Sequence, residues 1–220
     1  MPYFSVISSN KLVITNFKVM FSSFKKSQNF KKLKRFEARL LIAFKNPDVY
    51  FMVRDPYQKA ISFYKDKFQK IPSQADFSKP FKWEKPQRVF FPLLGLCVKK
   101  NTPQEIKKRL MDTSFDEFVI LLAQCYHLDE HVHPQYWILQ NPVYGFLKSL
   151  GLKKHNITIF KMDRAEDMSE FVEATQFDFS KPRNSTANIT MPKISEESLA
   201  ILNHIYKRDF EDFGYPVRQH

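Results

Sequence analysis

The run Val49-Tyr50-Phe51-Met52-Val53-Arg54-Asp55-Pro56-Tyr57, continuing through Gln58-Lys59-Ala60-Ile61-Ser62-Phe63-Tyr64, constrains this chain more than any other stretch. Its first half is short, apolar and rich in β-branched and aromatic side chains, which pack well on a pleated surface and predict a buried strand. Pro56 has a fixed φ and no N–H to lose, so it suits the first turn of a helix. Ile61, Tyr64 and Phe68 continue at helical spacing. A strand that turns sharply into a helix is half of a βαβ unit, and ligands of open α/β sheets collect outside the carboxyl ends of the strands. Arg54 stands at that end, and Ser62 lies on the helix that follows; together they are suited to gripping an anion. The bland alternative is an ordinary βα unit whose Arg54–Asp55 pair only caps a helix.

The same logic applies upstream. Lys11-Leu12-Val13-Ile14-Thr15 reads as the first strand, and Asn16-Phe17-Lys18-Val19-Met20-Phe21-Ser22-Ser23 follows it directly. Backbone N–H groups at a helix start, short hydroxyls and a lysine are what a phosphate-binding turn needs. No glycine occurs in the first 94 residues, so any such turn is built without one.

From Ser27 to Phe44 the pattern suggests a helix with Phe30, Leu33, Phe36, Leu40 and Leu41 facing inward. Lys31, Lys32, Lys34 and Arg35 form a basic face, with Glu37 among them as a salt-bridge partner or a base. Residues 71–92 hold four prolines, the pair Phe81-Lys82 and Trp83 without a clear period, and read as a long loop across a cleft. Thr102-Pro103-Gln104-Glu105 and Ser114-Phe115-Asp116-Glu117 each mark a helix start. A short helix over Pro142–Leu150, a strand over Asn156–Met162 and an acidic helix start at Asp163 come next. A polar loop, Ser180–Thr186, precedes the last helix, which ends at Gly214.

The segment His127-Leu128-Asp129-Glu130-His131-Val132-His133-Pro134-Gln135 concentrates titratable groups. His131 has a side chain whose ordinary pKa lies near working pH, as a general base needs. His-x-His with Asp129 or Glu130 is also half of a metal site, although no second ligand cluster is visible. His131 as a substrate-orienting group, and His131 or His133 as a structural histidine, stay open.

These motifs resemble those of sulfotransferases that use 3′-phosphoadenosine-5′-phosphosulfate (PAPS), in particular the carbohydrate sulfotransferases of the family-2 type. V-R-D-P-Y-x-K-A-x-S-x-Y is similar to the family's 3′-phosphate element, with Arg54 and Ser62 at the phosphate-holding positions and Lys59 where relatives often have arginine. Lys18-Val19-Met20-Phe21-Ser22-Ser23 stands where the family has K-x-G-x-T-S around the 5′-phosphosulfate, with Met20 in the glycine position. Asp129-Glu130-His131-Val132-His133-Pro134-Gln135 resembles an acceptor-side D-x-H-W-x-P-Q element. Asp209-Phe210-Glu211-Asp212-Phe213-Gly214-Tyr215 is very like the family's closing segment, a packing role.

The resemblance implies a three-layer αβα fold around a central, mostly parallel sheet, as a single domain over residues 1–220 with a cleft-covering region over 71–101. It implies sulfuryl transfer from PAPS, with PAP as product and no metal, to a hydroxyl of a carbohydrate or other acceptor. Lys18, Ser22, Ser23, Arg54 and Ser62 would hold the donor, joined by Arg183, Asn184 and Ser185 in the loop before the last helix. Lys18 would stabilise the leaving group and His131 would act as base, with Glu37 and His133 as alternatives.

Charge and cysteine content fit but do not choose. Thirty-five Lys and Arg against 23 Asp and Glu give a net charge of +12, which attracts anions of any kind. Two cysteines make no disulfide framework. No run approaches the ~20 apolar residues of a membrane span. Cytoplasmic residence is the expectation, with the Golgi lumen reserved for a fragment; nucleic acid is not an expected partner, and the oligomeric state is open. Two other classes stay in view. A nucleotide kinase of the P-loop type would share the βαβ architecture but lacks G-x-x-x-x-G-K-[ST]. A non-catalytic module binding nucleic acid or acidic glycan would account for the charge.

Overall fold

A computed structural model describes residues 2–70, 82–140, 157–178 and 192–219. Its contacts divide the chain into two compact units that interleave along the sequence. The first comprises residues 1–55, 134–185 and 208–215; the second comprises 56–133, 186–207 and 216–220.

The first unit holds a five-stranded sheet: β1 Tyr3–Val6, β2 Lys11–Thr15, β3 Phe30–Leu33, β4 Asp48–Val53 and β5 Ile157–Lys161. Their order is β3-β1-β2-β4-β5. β2, β4 and β5 run parallel, with Thr15 opposite Met52 and Met52 opposite Phe160. β1 is antiparallel to both β2 and β3, so the sheet is mixed, with its parallel half beneath the Lys18 and Arg54 turns. The chain is thus α/β, with helices flanking a central sheet. Helix α1 (Phe21–Lys26) follows β2 and α2 (Arg35–Lys45) follows β3. Phe24, Phe30, Phe160, Phe171 and Phe177 share one buried cluster, with Phe24 and Phe30 ring centres 5.0 Å apart.

The second unit is helical: α3 (Pro56–Tyr64, extended by a π-helical turn over Lys65–Gln69), α4 (Lys85–Arg88), α5 (Pro103–Asp112) and α6 (Phe115–Cys125). The first unit then adds α7 (Ala165–Thr175), the second α8 (Glu196–Ile205), and α9 (Lys207–Phe213) returns the chain to the first. Phe63, Phe68, Phe90 and Phe118 form an aromatic core here, with Phe68 and Phe118 centres 5.2 Å apart. Phenylalanines therefore line a core within each unit. Thr102 and Ser114 cap α5 and α6 as their sequences predict, each accepting from the backbone N–H three residues on. At the end of α9, Gly214 takes a left-handed φ of 59° and Tyr215 N–H reaches back to the Phe210 carbonyl at 3.0 Å, a Schellman closure.

Several expectations need correction. β1 precedes the strand read as first; four residues beside a hairpin carry too little periodicity to stand out. The helix expected over Ser27–Phe44 is a strand followed by a shorter helix. Phe30 and Leu33 belong to β3, where a Lys-Lys pair between two apolar residues has neither period clearly. Phe36 and Leu40 face solvent, not the core, while Ala38 and Ile42 make the buried face of α2. Trp83 is buried against Phe91 (5.7 Å) and is not a surface ring. Residues 82–92 carry α4 and the buried Phe90 and Phe91, where a period-free loop is expected; residues 71–81 and the helix expected over Pro142–Leu150 lie outside the described residues. No helix among the described residues is long and apolar enough to cross a membrane.

Candidate functional site

The turn after β2 is built by two polar side chains. Thr15, fully buried, donates its hydroxyl to the Val19 carbonyl, and the Asn16 carboxamide oxygen accepts from Phe17 N–H at 2.7 Å. Val19 N–H closes the turn onto the Asn16 carbonyl at 3.2 Å, which buries Val19. Lys18 and Met20 both take left-handed backbone, with φ of 68° and 55°. That conformation costs a side-chain-bearing residue about 1–2 kcal/mol. The glycine-free turn therefore has the backbone that glycine would favour, with Met20 in it as the N-cap of α1. The Met20 side chain packs against the phenylalanine cluster, which offsets part of the strain. Ser22 and Ser23, half-buried, sit in the first turn of α1.

Arg54 leaves the carboxyl end of β4, one strand over. One guanidinium nitrogen, Nη1, donates to the Lys18 carbonyl at 3.2 Å, so both turns meet in one place. The backbone of Arg54 is held on both sides. The Gln135 carboxamide accepts from Arg54 N–H at 3.0 Å and donates to the Arg54 carbonyl at 2.7 Å, pairing with the peptide as a further strand would. Gln135 is itself fixed by Asp209, whose two buried carboxylate oxygens accept from the N–H groups of Gln135 and Tyr136 at 2.8 Å each. On the other side, Asp163 accepts from Asp55 N–H at 2.6 Å and from the Tyr215 hydroxyl at 3.2 Å. Burial pushes the Tyr215 hydroxyl well above the ordinary phenol range, with the Asp163 charge adding to it, so it stays a donor.

The guanidinium itself is under-compensated. Burial lowers the Arg54 pKa from its ordinary value against the opposing charges of Asp163 and Asp55, though an arginine keeps its proton throughout. Its Nε is buried and has no hydrogen-bond partner among the described residues. A buried N–H left unsatisfied is costly, so a further partner is called for here.

The second unit carries the other residues. Ser62 is half-buried on α3. The His131 ring Nδ1 lies 2.6 Å from Asp129 Oδ1, and His131 N–H reaches the same oxygen at 2.9 Å. Burial alone would raise the Asp129 pKa, but these bonds from the His131 ring and backbone hold it below the ordinary range. An ionised carboxylate only accepts, so Nδ1 donates, and in the neutral ring this arrangement leaves the lone pair on Nε2, the tautomer a general base requires. Asp129 thus orients the His131 ring. Around this dyad the loop is pinned twice: Tyr206 donates to the Val132 carbonyl at 2.9 Å, and buried Lys59 donates to the His133 carbonyl at 2.5 Å. His133 Nε2 meets the His127 carbonyl at 3.0 Å, and burial lowers its pKa.

Lys18 and Arg54 are thus brought together in the first unit, with Ser22 and Ser23 on the helix that leaves the Lys18 turn. His131 is paired with Asp129 in the second. Glu37 sits on α2, where its carboxylate closes the helix start by accepting from Lys34 N–H at 2.5 Å. Arg183, Asn184 and Ser185 lie outside the described residues. Gln135, Asp163, Asp209 and Tyr215, which hold Arg54, are not among the site residues that the sequence points to. A carboxamide or carboxylate inside an aromatic run, as in Pro-Gln-Tyr-Trp and Asp-Phe-Glu-Asp-Phe, was the available signal, since buried polar groups need partners.

The family model of the sulfotransferase family matches residues 5–216, running through both units. No curated protein sequence and no solved structure matches the chain. The matched span takes in β2 and its turn, Arg54, the His131 loop and the Asp209 helix, and the observed α/β architecture agrees with it. The chain belongs to the sulfotransferase family, of its family-2 type.

Proposed function

We propose that this transferase moves a sulfuryl group from PAPS to a hydroxyl of a carbohydrate. The observation that carries the reading is Arg54: a half-buried guanidinium whose buried Nε has no partner among the described residues, beside a strained turn, at the carboxyl end of a parallel strand. A phosphate would complete it, because guanidinium N–H groups match phosphate oxygens in charge and geometry. By the sequence motif, Arg54 and Ser62 hold the 3′-phosphate and so separate the donor from ATP. Lys18, Ser22 and Ser23 hold the 5′-phosphosulfate, and Arg183, Asn184 and Ser185 are proposed at the same nucleotide on the motif alone. When bound, PAPS supplies the activated sulfuryl group.

The chain's own contribution is electrostatic and proton-handling. Lys18 provides the positive charge that meets developing charge on the leaving oxygen. His131, held in the Nε2-basic tautomer by Asp129, takes the proton of the attacking hydroxyl. Glu37 is occupied with a helix cap and His133 with a carbonyl, so both are weaker candidates for that step. The carbohydrate assignment rests on the family resemblance.

Ligand-induced stabilisation tests the donor. PAP is expected to raise the melting temperature, and ATP with magnesium is not; the reverse would indicate a kinase. In calorimetry, Arg54→Ala is expected to weaken PAP at least tenfold while leaving adenosine 5′-phosphosulfate, which lacks the 3′-phosphate, nearly unaffected. Equal losses for both would remove Arg54 from the 3′-phosphate. Labelled-sulfate transfer onto polysaccharides, phenols, steroids and tyrosine peptides tests the acceptor, and activity confined to phenols or peptides would overturn the sugar.

A further inference from the structure

Helix α2 is apolar on two opposite faces. Ala38 and Ile42 are buried, whereas Phe36, Leu40 and Phe44, spaced by four, line the far side and are 66%, 41% and 82% exposed. At 100° per residue the second stripe centres on Leu40, diametrically opposite the buried one. Exposed rings in a row are not ordinary surface; single exposed apolar residues are.

The stripe is framed by cations. Lys31 and Lys32 are exposed on edge strand β3, and Lys34, Arg35, Arg39 and Lys45 are exposed on or next to α2, with Glu37 the one acid in this stretch. Beside it lies an apolar groove of about 280 Å³, lined by Leu33, Leu40, Leu41 and Phe44 among others. The groove shares Ser5, Leu41 and Lys45 with a pocket of about 700 Å³, which Lys31, Ser8, Ser9 and Asn10 also line. The Asn10 carboxamide donates to the Lys45 carbonyl at 2.8 Å, tying that pocket's rim to the end of α2. An apolar groove therefore opens into a basic, hydroxyl-rich one, all within the first unit.

We infer that α2 and β3 form a docking surface for an anionic phospholipid bilayer. The two adjoining grooves match the two parts of such a lipid, acyl chain and charged headgroup. Rings in the acyl–headgroup boundary with lysines and arginines at the headgroups is how amphipathic surface helices bind. Charge complementarity selects this occupant over the others. A second copy of the chain would bring six cations against six. A polyanionic glycan would use the cations and leave the phenylalanines in water.

The test is sedimentation of the full chain with vesicles of phosphatidylcholine alone or with about 30% phosphatidylserine. Binding is expected to the mixed vesicles only and to weaken with salt. The Phe36→Ser/Phe44→Ser double variant is expected to bind them at least about tenfold more weakly, with an unchanged melting temperature because both rings are solvent-exposed. Arg39→Gln with Lys31→Gln should weaken binding too. Failure of the wild-type chain to bind mixed vesicles overturns the proposal. So does binding to heparin or to soluble glycerophosphoserine that competes fully with vesicles and is indifferent to Phe36→Ser/Phe44→Ser. A dimer in sedimentation equilibrium that this double variant dissociates would assign the face to a second copy and overturn it equally.

Discussion

Asp209→Asn is the most informative single change, because it keeps volume and alters only charge and one donor. The Asp209 carboxylate is fully buried and accepts two backbone N–H groups at 2.8 Å, those of Gln135 and Tyr136. An asparagine keeps one acceptor and sets an NH2 against the other N–H. Hydrogen bonds to a charged group contribute about 1.5–3 kcal/mol each, and a neutral one about 1 kcal/mol. Weakening one bond and losing the other therefore costs about 2–5 kcal/mol. Urea unfolding followed by circular dichroism reads that loss directly. The exposed Asp212, which pairs with Arg208 at 3.3 Å on the same helix, supplies the control, since Asp212→Asn should cost under about 0.5 kcal/mol. The second readout is functional. Gln135 grips both polar groups of the Arg54 peptide, so loosening its backbone should weaken PAP binding although Asp209 is assigned no ligand contact. Gln135→Leu, which strips the same two bonds from Arg54, should be coupled to Asp209→Asn by at least about 1 kcal/mol in a double-mutant cycle. A loss below about 0.5 kcal/mol for Asp209→Asn, or additive variants, would refute the chain of support from Asp209 through Gln135 to Arg54.

Met20→Gly should be more stable than Met20→Ala by about 1 kcal/mol, the reverse of their helix propensities, because Met20 holds a φ of 55°; chemical denaturation of the two variants checks the order. Burial depresses the His133 pKa, so the folded chain binds fewer protons than the unfolded one near the ordinary imidazole value. Stability from this group is present above about pH 6.5 and falls as pH drops below it; unfolding at pH 7.5 and 5.5 should show that decline, and His133→Gln should flatten it. Lys18→Ala should lower turnover by more than it weakens PAP binding, an effect confined to the transition state. Unchanged turnover in single-turnover kinetics would mean that the strained turn no longer presents Lys18 to the leaving group.

Which parts were legible in the sequence follows from what each kind of signal measures. β4 and α3 were readable because a β-branched and aromatic run, a proline and a helical period changed over within sixteen residues. The caps at Thr102 and Ser114 and the stop at Gly214 are local chemistry and were equally plain. β3 and α2 were not, because Phe30, Leu33, Phe36 and Leu40 fall at helical spacing across a strand–helix junction. The period there was genuine for Phe36, Leu40 and Phe44, but it marks the exposed face of α2, and periodicity does not say which apolar face is buried. Trp83 illustrates the same limit: composition showed an aromatic in a proline-rich stretch, and only packing against Phe91 shows that it belongs to a core.

The site itself follows a different rule. Lys18, Arg54 and Gln135, along with Asp163, Asp209 and Tyr215, lie as much as 197 residues apart in sequence, counting from Lys18 to Tyr215. Gln135 and Asp163 bond the backbone of two consecutive residues, Arg54 and Asp55, Asp209 and Tyr215 hold those two groups, and the Lys18 carbonyl accepts from the Arg54 guanidinium. The short motifs were thus parts of one network seen separately. The closing Asp-Phe-x-x-Phe-Gly-Tyr segment looked like packing because its phenylalanines do pack, Phe213 against Phe51 at 5.7 Å. Its Asp209 and Tyr215 meanwhile brace Arg54 from opposite sides through Gln135 and Asp163. A guanidinium desolvated beside a strained turn needs such bracing, because the charges of Asp163 and Asp55 offset its desolvation only while they are held at fixed distance. Removing any one brace should therefore be felt at Arg54 first, and the weakening of PAP by Asp209→Asn is the form in which that would be seen.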